Sequence, residues 1–300
     1  MRTTVAVAGL AWLAACSTAG ATITTGPQAT LGPLPTVTST APASTTTQPP
    51  PTTTTTTVPA ATTTESPHAR PEWLGSRVLP ERPDGFGIAQ PTPPELENRA
   101  FETIDHLPRP DADEFAATSG PVPADVLARS TWQDECPVAA SDLAYLTVTH
   151  HGFDGVVHTG EIIVNASVAD GVVSVFEALF AAGYPIEQMR VLTVDELDAP
   201  PTGDGNVTGS FECRPATGGT SWSQHAFGLA IDVNPFHNPY IKGDLVLPEL
   251  SSSYVDRSRL RPGMIERGDA VFDAFASIGW EWGGDWNSLK DWMHFSQNGT

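Results

Sequence analysis

Hydrophobic and polar positions follow two periods in the second half of the chain and neither in the first quarter. Val168, Val172, Val175, Phe176, Leu179 and Phe180 recur at helical spacing, which predicts an amphipathic helix over 167–182. Gly183 caps it, and Pro185 lies beyond. Ile265, Phe272, Phe275 and Ile278 predict a second helix, stopped by Gly279. Tyr145–Thr149 reads as a strand, as does Gln188–Val194. Gly155–His158 and Glu161–Asn165 read as a hairpin or bulged strand around Thr159-Gly160. Leu229 to Asn234 alternates, so Ala230, Asp232 and Asn234 share one face of a strand while Ile231 and Val233 face the other way. Pro235 ends that strand. The pattern as a whole is α+β.

The first part of the chain carries no such pattern. Residues 1–16 have a basic start, a short apolar core and small residues before Cys16, which is the form of an export signal. The stretch is too short to span a bilayer as a helix. Leu-Ala-Ala-Cys resembles a lipobox, so Cys16 is expected to be lipidated and to anchor an exported cell-surface lipoprotein; plain secretion is the alternative. Residues 17–70 are rich in Thr and Pro, cannot bury a core and form a semi-extended spacer. Residues 71–129 form a Pro-rich irregular arm, with a short helix expected at Asn98–Ile104. The globular domain is expected to span 130–300.

Charge narrows the functional classes. The chain has 15 basic and 35 acidic residues, a net charge of -20. Nucleic-acid binding needs basic surface and is excluded. The same charge offers no attraction to anionic lipid, which leaves the anchor as the one expected membrane contact. In an exported protein Cys136 and Cys213 favour a disulfide, two buried free thiols being the alternative.

Candidate chemistry gathers in two places: Ser223-Gln224-His225-Ala226-Phe227-Gly228-Leu229-Ala230-Ile231-Asp232, and Asp291-Trp292-Met293-His294-Phe295. Catalytic zinc takes three protein ligands, His and carboxylate among them, and leaves one position open. A bend at Gly228 can return Asp232 towards His225. Asp291 and His294 stand three apart, so on one helical turn or a tight turn they meet on one side. We therefore expect His225, Asp232 and His294 to hold zinc, with Asp291 handling the protons of a metal-bound water. His158 and Glu161, like His150 and His151, are read as structural.

Ser-x-His-x-x-Gly-x-Ala-x-Asp followed by Asp-x-x-His-Phe resembles the zinc D-alanyl-D-alanine carboxypeptidases, the M15 or VanY-like peptidases. Asn234-Pro235, Asn238-Pro239-Tyr240, Gly279 to Trp286 and Phe211-Glu212-Cys213-Arg214 are similar to the extracellular bacterial branch. The resemblance covers roughly residues 130–297. It implies a Hedgehog/DD-peptidase type of fold, a small mainly antiparallel sheet with packed helices. It implies zinc on His225, Asp232 and His294, with Asp291 as base. It implies that Arg214 contacts a substrate carboxylate or the developing oxyanion, a surface salt bridge being the alternative. Ser223 would touch the substrate amine or support the ligands, or serve only as a cap. The expected substrate is the peptidoglycan stem peptide, cut as a carboxypeptidase cuts it. An endopeptidase cut, or a zinc-stabilised surface module without turnover, are the alternatives.

Overall fold

The computed structural model describes residue 66 and residues 68–300; the leader, Cys16 and most of the Thr/Pro-rich spacer lie outside the described residues. In chain order the strands and helices are β1 (Ala117–Pro121), α1 (Ala124–Arg129), β2 (Leu143–His151), β3 (Val157–Asn165), α2 (Ala169–Ala181) and α3 (Val194–Leu197). They continue with β4 (Ala230–Asp232), β5 (Tyr240–Lys242), β6 (Leu245–Leu247), α4 (Ala270–Ser277), β7 (Glu281–Trp282), β8 (Lys290–Asp291) and β9 (His294–Ser296). They build three small antiparallel sheets, ordered β1-β2-β3, β4-β9-β7 and β6-β5-β8. The class is α+β, as the periodicity predicts.

The β2–β3 hairpin is buried on both faces, and its alternation sorts residues between two cores. Ala144, Leu146 and Val148 of β2, with Ile162 and Val164 of β3, face α2 through Val172, Val175, Phe176 and Leu179. Leu143, Tyr145 and Ile163 face the other way, towards Val126, Val191, Phe211 and the Cys136–Cys213 disulfide. α2 begins within two residues of its expected start. Gly183 takes a positive φ just past its end, and its N–H closes on the Phe180 carbonyl. Burying a Val, Leu or Phe side chain contributes roughly 1.5–3 kcal/mol. The five buried residues of α2 therefore fix it on the sheet. α4 lies against α2, and its Phe275 stacks on Phe295 of β9 at 4.1 Å. That contact ties the second helix to the strand that carries His294.

The strand expected at Gln188–Val194 does not form. Only Met189 makes a bridge, to Thr208. Glu196 accepts hydrogen bonds from both the N–H and the hydroxyl of Thr193, which starts the short helix α3 and ends any extension. The helix expected at Asn98–Ile104 is also absent; a 3-10 turn at Pro94–Leu96 precedes it instead. The backbone there is committed to distant partners. Arg99 N–H donates to the Tyr254 hydroxyl, and the Ala100 carbonyl bonds His68.

The arm is part of the packed unit, which reaches further towards the N-terminus than the expected start at 130. β1 is an edge strand of the main sheet, and α1 carries Val126 into the second core. Leu79, Leu96 and Phe101 form a third cluster with Phe236, Leu250 and Tyr254. Buried Arg99 makes a bidentate pair with buried Glu187, at 2.6 and 2.8 Å. Among the described residues no helix is long and apolar enough to cross a membrane.

Candidate metal centre

Local backbone chemistry delivers each candidate ligand. The Ser223 hydroxyl accepts the His225 N–H at 3.3 Å and opens a 3-10 turn over Gln224–Phe227. Gly228 closes the turn in the left-handed region, with φ 67°. A Cβ there would lie 2.5 Å from the Asn165 nitrogen, so only glycine turns the chain this close to β3. β4 then runs back with Ile231 in the core and Asp232 on the other face. β9 pairs with β4 so that His294 stands directly opposite Asp232. Cross-strand register therefore joins the two halves of the motif.

The three donors converge. His225 Nε2 lies 3.2 Å from His294 Nδ1 and 3.3 Å from Asp232 Oδ2, and His294 Nδ1 lies 3.1 Å from Asp232 Oδ1. Tetrahedral zinc with bonds of about 2.0–2.1 Å sets its ligands roughly 3.3 Å apart. The donor set and its spacing therefore fit such an ion. Tautomers agree with this fit. His225 Nδ1 donates to the Ser210 carbonyl at 2.6 Å, and His294 Nε2 to the Thr300 main-chain oxygen at 3.3 Å. Each imidazole thus turns a lone pair inward, beside a carboxylate. Only a proton or a metal cation makes that arrangement favourable.

Protonation tendencies follow from these contacts. Burial opposes charge on His225, but the Asp232 carboxylate outweighs it and raises the imidazole above its ordinary pKa. Burial would raise Asp232 too; His225 and His294 instead hold it well below the usual carboxylate range. Asp291 behaves oppositely. Burial, and then the nearby Asp232 charge, push it up to about 7, against the pull of His294 and Arg214. Its Oδ1 is enclosed and has no hydrogen-bond partner among the described residues. Asp291 ends β8 and His294 begins β9, so a bend between two strands brings them to one side, not a helical turn. Gly283 makes the bend possible: a Cβ there would meet the Asp291 carbonyl at 2.6 Å.

All four residues line one cavity of about 960 Å³. Arg214 and Ser223 line it as well. The Arg214 Nε donates to Glu212 Oε2 at 2.5 Å, and the disulfide at Cys213 holds the segment beside α1 and the Thr131 hydroxyl. Trp286 packs 5.3 Å from the His294 ring, while Trp280, Trp282 and Trp292 belong to the core.

The remaining histidines lie elsewhere. His158 sits between Asp105 and Asp154, and Glu161 accepts from Arg129 and Tyr145; both pairings tie the arm and α1 to the sheet. His237 stacks on Phe153 and bonds the Arg99 carbonyl, away from the centre. Among the described residues the His/Cys/Asp/Glu group spaced to hold a metal is His225, Asp232 and His294.

Residues 217–297 match the family model described as D-alanyl-D-alanine carboxypeptidase. This segment belongs to the M15 peptidase family. The M15 segment holds Ser223, His225, Asp232, Asp291 and His294, and it assigns a peptidase reaction class. Arg214, the disulfide and the arm precede it. No curated protein and no solved structure matches the chain. Sequence reasoning missed two parts of the site. The first is the pairing of Arg214 with Glu212. The second is the far wall of the cavity, where Arg70 at the end of the spacer and Leu74 and Arg99 of the arm meet Asp204 and Glu249. No local pattern marks that wall, because its N-terminal residues stand at least 105 positions before Asp204 and Glu249.

Proposed function

We propose that the protein is a zinc-dependent D-alanyl-D-alanine carboxypeptidase acting on peptidoglycan stem peptides. The observation that carries this reading is the inward-facing His225–Asp232–His294 triangle sharing a cavity with the enclosed carboxylate of Asp291. His225, Asp232 and His294 would hold the ion. A zinc ion in such a site supplies Lewis acidity, polarising a carbonyl and acidifying water.

The chain's own residues supply the rest. Asp291 lies near neutrality, where a group can both accept and return a proton. It takes the proton of the attacking water and delivers it to the leaving amine. Arg214, planar and permanently charged, suits a substrate carboxylate or the developing oxyanion. Its Nε is bound to Glu212 and its Nη1 to the Pro215 carbonyl, which leaves Nη2 without a partner among the described residues. Ser223 caps the turn that aims His225, so its hydroxyl acts through that ligand. We further propose export and retention at the cell surface through Cys16, the Thr/Pro-rich spacer reaching into the wall. The membrane contact is the lipid anchor alone, and nucleic acid is no partner.

The test is metal analysis together with digestion of defined wall peptides followed by mass spectrometry. Asp291→Asn should keep near-stoichiometric zinc and lose about 10²–10⁴ in rate. His294→Ala should lose both zinc and hydrolysis. Full activity in Asp291→Asn would exclude that carboxylate as the base. Zinc-loaded protein that binds wall fragments and never cleaves them would instead indicate a binding module.

A further inference from the structure

The chain has four tyrosines, and three of their hydroxyls are matched. Tyr145 donates to Glu161 at 2.6 Å, Tyr184 to the Gly263 carbonyl at 2.6 Å and Tyr254 to the Leu96 carbonyl at 3.2 Å. Tyr240 differs from all three. It is only 6 % exposed, yet its hydroxyl makes no hydrogen bond with the described residues. A buried phenol ordinarily finds a partner for its O–H. Its oxygen is not sealed in as Asp291 Oδ1 is, and the residue lines the cavity of the metal centre.

Strand register puts the phenol there. Tyr240 of β5 stands directly opposite Leu247 of β6 on one side and Asp291 of β8 on the other. Residues directly opposite share a face of the sheet. This row of three lines the cavity, whereas Ile241, Val246 and Lys290, on the alternate face, do not. Ile241 packs on the main core instead. The Tyr240 ring is held by Leu245 and Met293, with Phe86 and Leu247 packed against the same cluster. The result is a fixed neutral donor beside the carboxylate that handles protons. Burial, and then the Asp291 charge, raise the phenol above its ordinary pKa, so it keeps its proton.

We propose that Tyr240 is a further catalytic residue, its O–H donating to the oxyanion that forms on the scissile carbonyl. The proposal rests on the peptidase reading of the same cavity and adds a donor to it. As the water oxygen bonds to the carbonyl carbon, the carbonyl π pair moves onto its oxygen and the water proton goes to Asp291. When the oxyanion collapses, the C–N bond breaks and Asp291 returns the proton to the leaving amine. The Tyr240 proton is not transferred; its hydrogen bond strengthens as negative charge develops, which stabilises the transition state more than the substrate. Arg214, engaged at Nε and Nη1, is then left for the terminal carboxylate of the substrate.

The test compares wild-type protein with Tyr240→Phe, which keeps the ring and removes the O–H. Turnover of diacetyl-Lys-D-Ala-D-Ala is measured beside calorimetric binding of its phosphinate isostere, whose tetrahedral anion replaces the scissile carbonyl. Zinc content and thermal midpoint report that the variant is folded. In Tyr240→Phe, kcat and kcat/KM should fall together by about 10²–10³. The phosphinate should bind at least about tenfold more weakly, as the loss of a hydrogen bond to a charged group implies. Should Tyr240→Phe not fold, Tyr240→Met, a flexible apolar side chain suited to the neighbours Leu245 and Met293, is judged by the same ratios. An unchanged kcat, or a loss confined to KM, makes the ring a mere wall; it overturns the role of Tyr240 and leaves the peptidase reading standing. Wild-type protein that cleaves nothing overturns the peptidase reading, and the phosphinate then decides for Tyr240. Weaker binding to Tyr240→Phe upholds the contact, and equal binding or none overturns it.

Discussion

The imidazoles of the centre are aimed by main-chain oxygens, and this has a consequence for pH. With Nδ1–H of His225 committed to the Ser210 carbonyl, the proton that competes with a metal must sit on Nε2. Asp232 stabilises that proton and raises the pKa of His225. A raised pKa means that the proton persists to higher pH than on a free imidazole, whose pKa is ~6.5. Metal binds the deprotonated ring, so affinity for zinc should fall as pH drops through neutrality, by about tenfold per unit for one displaced proton. Chelator competition between pH 5.5 and 8 measures this slope; a flat profile would show that His225 is not a ligand. At this scale much was legible. His225, Asp232, Asp291 and His294, which the motif singles out, converge on one cavity, with Gly228 at the turn between the first two. Glu249 was not legible, since an isolated Glu after Pro248 carries no sign of burial.

Among the elements, α2 follows its periodicity because it buries a continuous apolar stripe, whereas the second helix starts at Ala270, five residues after Ile265, which packs in the core from the preceding loop. α4 shows how its ends are set. Asp269 accepts from the Phe272 N–H and from the Glu266 N–H, both at 2.8 Å, capping the first turn and fixing the loop before it. Asp269→Ala should cost about 1 kcal/mol, seen as a lower thermal midpoint, with zinc stoichiometry unchanged. A loss of zinc would show that α4 holds the centre more tightly than the Phe275–Phe295 stack suggests. The segment 188–194 was misread because apolar alternation competes there with a Thr-x-x-Glu cap, and the cap prevails at the end of the run. The bend at 291–294 was undecided by spacing alone. A three-residue offset suits a helical turn and a bend equally, and only pairing with β4 selects the bend.

For the whole molecule, the arm is held by charge as well as by apolar contact. Arg99 and Arg70 both bind Glu187, which burial would raise and the arginines hold below its ordinary pKa. A carboxyl lowered in the folded state stabilises it fully above the unfolded value, ~4.3, and loses that contribution as pH falls through the folded value. Arg99→Ala leaves Glu187 with Arg70 alone and should cost about 3–5 kcal/mol at pH 7. Urea unfolding at pH 7 and in acid should show the gap to wild type closing as Glu187 protonates. An unchanged gap would mean that the arm is held by its apolar cluster. The chain by itself determined the α+β class, the helical stripe of α2 and the candidate metal ligands His225, Asp232 and His294, because each rests on short-range periodicity or on side-chain chemistry at fixed spacing. Tertiary structure decided the bend before β9, the inclusion of the arm and the far wall of the cavity. Those features depend on strand register and on buried charges meeting across segments that are distant in the chain, and no local pattern records such meetings.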